Sequence, residues 1–397
     1  GGTLNVASGT VITRNVADGA SGSGGGLFST NGDVVLDGVI ITENRANRAG
    51  GGIELIDGSL MLTNSTLDNN NVGISPAVAA PGNGGGLHIT GAADANISGG
   101  TVDNNVAAAE GGGLWNGSGT MTIDATPITN NVASGNDATN GGGGVFNNGG
   151  TLDVLAGTEI TNNIADGTSG SGGGVFSTAG DVTLTEVIIT DNQANRAGGG
   201  IELIDGSLTL TNVTLDTNNA GVAPATAAPG NGGGLHISGA ANATLTGGSV
   251  DSNVAALEGG GLWNGTGTMT VDGTPITNNI ASGAAADDGG GGIFNNGGTL
   301  DVLAGTNITN NLANGTSGSG GGIFSTGGSV TVTDAVISQN SANRAGGGIE
   351  VIEGSVTLNN SALSINDVNG TAGTPNPGNG GGMHVSGAAT VSITGGT

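Results

Sequence analysis

Apolar residues along this chain recur in two short patterns and nowhere with helical spacing. Two or three glycines precede one apolar residue at Leu27, Ile53, Leu87, Leu114 and Val145, and the series returns from Val175 to Met383, giving 13 anchors. An apolar-x-x-Asn signature follows each anchor, with its Asn 17 or 18 residues on in the first five cases. From that Asn to the next anchor the distance varies, at 9, 17, 9, 14 and 12 residues. A constant stretch alternating with a variable one is what a solenoid coil with a fixed cross-section and one free loop requires. Inside the constant stretch three pieces alternate apolar and polar, as in Ile201–Leu203, Ser207–Thr211 and Val213–Leu215, with turn residues between them. No window keeps apolar residues at i, i+3, i+4 and i+7 free of Gly, so helices are not expected. The pattern predicts an all-β fold: a right-handed parallel β-helix, a single-stranded solenoid of about 13 coils with three strands per coil.

A longer repeat encloses the shorter one. Arg48, Arg196 and Arg344 all sit in NRAGGGIE, and Trp115 and Trp263 in EGGGLWNG, each step being 148 residues. The chain reads as one continuous β-helix over 1–397, made of tandem copies 3–150, 151–298 and a partial 299–397. Gly1 corresponds to Gly149 and Thr397 to Thr101, so both ends cut through a coil. Solenoids carry polar caps, and the expectation is a window of a longer chain or subunits stacked end to end.

The recurring asparagines are Asn15, Asn44, Asn70, Asn105, Asn131, Asn163, Asn192, Asn218, Asn253, Asn279, Asn311, Asn340 and Asn366. Stacked at one corner of every coil, each can donate its amide to the next and accept from the last, an internal ladder of satisfied polar groups. The glycine corners need backbone room and positive φ. They are not phosphate loops, because no Lys follows them.

Composition then limits function. The net charge is −26, from 31 acidic residues against five Arg and no Lys, so neither nucleic acid nor an anionic bilayer is an expected partner. No apolar run approaches a membrane span, and membrane insertion of this segment is not expected. Without Cys there is no disulfide, thiol nucleophile or thiolate metal site. No cofactor is expected. Calcium could screen or bridge the 14 acids of the second copy, but no EF-hand loop or GGxGxDxUx array names a site.

One column carries the chemistry. The residue after each anchor runs Phe28, Glu54, His88, Trp115, Phe146, then Phe176, Glu202, His236, Trp263, Phe294, then Phe324, Glu350 and His384, which is every Phe, Trp and His in the chain. Alternation against the apolar anchor places it on the outer face of the first sheet, where an aromatic stripe means contact with something. Four uses follow: cover by the variable loops, above all the one with Pro76 and Pro81; a lateral interface between copies; glycan stacking on Trp115 and Phe146 beside Glu54 and His88; or metal ligation by His, which the absence of a second ligand opposes. A second outward column forms T-x-T ranks at Thr183-Leu184-Thr185, Thr209-Leu210-Thr211, Thr244-Leu245-Thr246 and Thr331-Val332-Thr333, broken at Asp153 and Asp301, as on the faces of ice-binding solenoids.

The paired signatures GGGL, GGGI or GGGV and (Ile/Leu/Val)-x-x-Asn resemble the β-helix surface proteins of bacteria, of the polymorphic outer-membrane and autotransporter-passenger type. The chain departs from that pattern in using Ile, Leu or Val where the family prefers Phe. The resemblance spans the whole chain and implies an extracellular, cell-surface location. It also implies a structural or adhesive role through association with itself or with host or matrix glycans, and it carries over no catalytic residues. Catalysis is not expected, because an active site is built once and every candidate here recurs in register. The alternatives are a polysaccharide-binding or polysaccharide-degrading β-helix, for which two carboxylates flanking a glycosidic bond would be needed, and an ice-binding surface.

Overall fold

The computed structural model describes residues 2–73, 82–221, 230–368 and 378–397, and the described residues hold strands and turns with no helix. Two compact units, Gly1–Asn195 and Arg196–Thr397, are each a parallel β-solenoid of three sheets, with about 12 turns between them.

One turn of the first unit displays the plan. Ile53–Leu55 and Ser59–Thr63 lie in succession on the first sheet, Thr66–Asp68 on the second and Asn71–Val72 on the third. Each piece pairs in parallel with its counterpart a turn away: Ile53 faces Leu87, Leu67 faces Val102 and Val72 faces Ala107. The second unit repeats the register, with Ile201 on Leu235, Leu215 on Val250 and Ala220 on Ala255. The three pieces legible from alternation therefore occupy two sheets. The third sheet is the two-residue strand after each ladder Asn, too short for a period of two to be visible.

Alternation sorts the side chains as expected within the longer strands. Leu60 and Leu62 are buried while Met61 between them is 50% exposed. With Ile53, Leu55, Leu67 and Val72 they fill one layer of the core, and each such burial contributes about 1.5–3 kcal/mol. The third sheet contributes small side chains, Ala46, Ala107, Ala133 and Ala165, so the core tapers there.

Between second and third sheets the chain turns on one left-handed residue immediately before the ladder Asn. Glu43, Asn69, Asn104, Asn130 and Asn162 have φ of 57°, 51°, 52°, 55° and 56°. Asn tolerates that conformation, but Thr217 (51°) and Ile365 (57°) hold it at a cost. The ladder offsets such strain. Asn70 donates its backbone N–H and its Nδ2 to Asn105 Oδ1, both at 3.0 Å, and Nδ2 also reaches Ile41 O at 2.9 Å. The pattern continues through Asn105, Asn131 and Asn163 in the first unit and from Asn253 through Asn279, Asn311 and Asn340 in the second.

A second, shorter polar ladder runs inside the first sheet. Asn116 Nδ2 donates to Asn147 Oδ1 at 2.8 Å, and Asn147 Nδ2 to Ser177 Oγ at 3.1 Å. Asn264, Asn295 and Ser325 repeat it.

Candidate functional site

The column after the glycine corners lines up in register, but it is not a surface stripe. Glu54, His88, Trp115, Phe146 and Phe176 of the first unit are buried, as are Glu202, His236, Trp263, Phe294, Phe324 and Glu350 of the second. Only Phe28, 48% exposed, and the half-buried His384 reach solvent. The side chains do point away from the core, as alternation requires, and what corrects the expectation of exposure is the corner itself. Its first glycine turns at positive φ, 68° at Gly84 and 63° at Gly111, and folds the lead-in segment back over the strand it introduces. A Cβ on Gly84 would lie 2.6 Å from the Cβ of His88, and one on Gly111 2.9 Å from that of Trp115. Lead-in residues bridge one another in parallel, Ser23 with Ala49 and Ala49 with Asn83, and form an outer layer. Cover by the variable loops is thus realised by the residues adjoining the glycines; the loop with Pro76 and Pro81 lies outside the described residues.

Beneath that layer the column is a continuous polar-to-aromatic stack. His88 Nδ1 meets Glu54 Oε2 at 2.7 Å, Thr90 Oγ1 donates to Glu54 Oε1 at 2.7 Å, and Arg48 Nη1 approaches the same oxygen at 4.0 Å. The His88 ring stacks on Trp115 at 4.2 Å, Trp115 on Phe146 at 6.0 Å and Phe146 on Phe176 at 5.0 Å. Parallel in-register strands impose this, because residues one turn apart must lie face to face. In the second unit Glu202 meets His236 at 2.8 Å and accepts from Ser238, with Arg196 at 3.8 Å. Its rings follow as His236, Trp263, Phe294 and Phe324 at 4.3, 6.0 and 5.0 Å. Glu350 binds His384 at 2.8 Å with Arg344 at 3.8 Å. Burial pushes the Glu350 carboxyl up, against the opposing pull of His384 and Arg344.

Residues that alternation could not single out complete the cluster. Glu110 Oε2 accepts from Trp115 Nε1 and from Asn83 Nδ2, both at 2.9 Å, while Oε1 accepts from Asn140 Nδ2 at 2.8 Å. Glu258 takes the same indole bond from Trp263 at 2.9 Å and one from Asn231 at 3.1 Å. Burial is the main cause that lifts its carboxyl to about 7; the Trp263 and Asn231 bonds oppose the rise, while Asp288 and Asp287 add to it. The signal for Glu110 is its place directly before the glycines of EGGGLWNG, visible once the corner is known to fold back.

Chemically the cluster is occupied with itself. Thr90 and Ser238 each donate to the carboxylate that also holds the His, and each hydroxyl lies beside that His Nδ1, at 3.0 and 3.2 Å, so hydroxyl, carboxylate and imidazole are bonded to one another. Among the described residues no group of three or more His, Asp or Glu is gathered for a metal ion, and no helix is long and apolar enough to cross a membrane. Comparison with protein-family models, with curated proteins and with solved structures gives no match.

Proposed function

We propose that this chain is a non-catalytic structural solenoid of the bacterial-surface type, extracellular and adhesive or fibre-forming through association with itself. One observation carries the reading: the residues able to do chemistry are spent inside the molecule, where Glu54, His88, Trp115 and their counterparts hold turn to turn. The outward positions of the longer strands carry chiefly Thr, Ser, Asn and Asp, as at Thr209, Thr211, Thr244 and Thr246, with isolated apolar side chains such as Met61 among them. Such a surface suits many weak, identical contacts rather than one reaction. Burial also takes Trp115 and Phe146 away as stacking platforms for a sugar, which weakens the polysaccharide reading. The test is electron microscopy of the native material alongside an assay on neutral and uronate glycans. Filaments or lateral bundles without glycan turnover are expected. Isolated particles, or turnover lost in a combined E54Q, E202Q and E350Q variant, would overturn the proposal.

A second reading is favoured by one further feature. Thr209 lies opposite Thr244 and Thr244 opposite Thr270, with Thr211 opposite Thr246, so hydroxyls are ranked on the open side of the first sheet in the second unit. A ranked hydroxyl face suits a repetitive surface such as ice. Thermal hysteresis in dilute solution decides it, and its absence removes the reading.

A further inference from the structure

The 148-residue copies are nearly identical, and one buried contact changes its chemistry between them. In the first copy Asn140 stands between an acceptor and a donor and satisfies both: its Nδ2 donates to Glu110 Oε1 at 2.8 Å, and its Oδ1 accepts the Asp137 N–H at 3.1 Å. In the second copy the residue is Asp288, only 8% exposed. Its Oδ2 accepts the Ala285 N–H at 2.7 Å, reproducing the loop bond of Asn140. By the equivalence of the two copies the other carboxylate oxygen corresponds to the lost amide donor, and the Asp288 charge acts on Glu258. The second copy thus has acceptors on both sides where the first copy has a donor and an acceptor.

From this exchange we propose that Glu258 keeps a proton, donates it in a hydrogen bond to Asp288 and so forms a pH-sensitive latch, which holds the 283–289 segment over the aromatic column of the second copy. With the proton in place, Glu258 donates to Asp288 and restores the contact that Asn140 makes with Glu110. Its loss leaves two carboxylates in a buried site, where like charges cannot both stay ionised at low cost. Asp287 adds a third negative charge from the same loop. The other groups facing the pair do not replace the proton. Asn231 and the Trp263 indole donate to Glu258 Oε2, the oxygen already served in the first copy. His236 stacks on Trp263 and is held by Glu202. Arg344 reaches the loop only at Ala286 O, at 3.2 Å, and is otherwise directed at Ser319 Oγ and Glu350. Opening the latch would uncover Trp263 and the Phe294 and Phe324 rings stacked beyond it.

The sign follows from the raised carboxyl. Glu258 sits near 7 when folded against 4.5 as its ordinary value, so the latch is closed below the ordinary value and is lost as pH rises through about 7. The protein's two tryptophans allow each copy to be read alone. In full-length W115F, the emission of Trp263 is followed from about pH 5 to about pH 9. A one-proton transition near neutrality is expected, and D288N should move it to more acid pH by about one unit or more. In W263F, Trp115 should show no such transition until N140D installs it. Because a His stacks on both indoles, a transition equal in both copies would assign the proton to His and overturn the latch. So would a D288N titration identical to the parent, or a midpoint moved by millimolar calcium, which would make the pair a cation site. Should either Trp variant fail to fold, melting of the unaltered chain against its D288N variant gives the same decision. Glu350, raised in both proteins, lowers both curves alike, so the parent should lose more melting temperature than D288N on passing from acid to mildly alkaline pH; parallel curves would refute the proposal.

Discussion

At the scale of single residues, the ladder asparagines are the most exacting positions in the chain. Asn131 Oδ1 accepts both the N–H and the Nδ2 of Asn105, at 2.9 and 3.0 Å, while its own Nδ2 donates to Val102 O and Asn163 Oδ1. No other side chain of that size offers two acceptor sites and two donors in one plane. N131A would leave the buried N–H of Asn105 and one of its Nδ2 hydrogens without an acceptor, and would take the amide donor away from Val102 O and Asn163 Oδ1; each donor left unpaired costs about 1–3 kcal/mol. It would also withdraw support from Asn130, held at φ 55° just before it. We expect N131A to lower the urea midpoint sharply, while T129A on the outward neighbour changes the unfolding free energy by under about 1 kcal/mol. Equal effects of the two would refute the ladder as the principal polar brace. Asp in place of Asn131 is no remedy, because a carboxylate cannot donate to Val102 O or Asn163 Oδ1.

At the scale of elements, the stack of one residue per turn joins strands that backbone pairing alone would join evenly. Phe146 lies between Trp115 at 6.0 Å and Phe176 at 5.0 Å and is 1% exposed. F146A should destabilise the first unit by about 3–5 kcal/mol and shift Trp115 emission to the red; F294A should do the same for Trp263. A variant that melts within a degree or two of the parent would mean that the outer layer, not the stack, carries the stability. The strands themselves were legible, since Leu60-Met61-Leu62 alternates and its burial alternates with it. The ladder was legible because Asn44 and its counterparts recur at a fixed distance from each anchor. The column's membership and outward direction were equally readable from Phe28 through His384. Its burial was not: alternation ranks a side chain as inward or outward, and Gly111 folding over Trp115 is a tertiary event that the one-dimensional pattern lacks. For the same reason Thr90 and Asp288 escape the pattern, because the carboxylates they act on lie one turn away at separations set by loops of unequal length, while the Glu110 bond to Trp115 exists only once the corner folds back.

At the scale of the whole molecule, repetition makes the chain divisible in one register only. Val145 pairs with Val175, and Phe146 stacks on Phe176 at 5.0 Å and 11°. Ile293 pairs with Ile323 in the same way, and Phe294 stacks on Phe324 at 5.0 Å and 12°. Joining Gly150 directly to Thr299 therefore presents Val145 and Phe146 with Ile323 and Phe324, a contact each partner already makes with a near-identical neighbour. Because solenoid stability is approximately a sum of coil and nearest-neighbour terms, deleting residues 151–298 removes terms without creating a foreign one. The shortened chain, 397 − 148 = 249 residues, should fold with the β-sheet circular dichroism per residue of the parent and unfold cooperatively. Removing 151–290 instead takes out eight residues fewer, so the glycine corner, the ladder Asn and the ring of the next turn all fall out of register. That variant should aggregate or melt without cooperativity. Equal behaviour of the two deletions would show that coil register does not govern folding, and the interlocking of ladder, corner and stack would lose its basis.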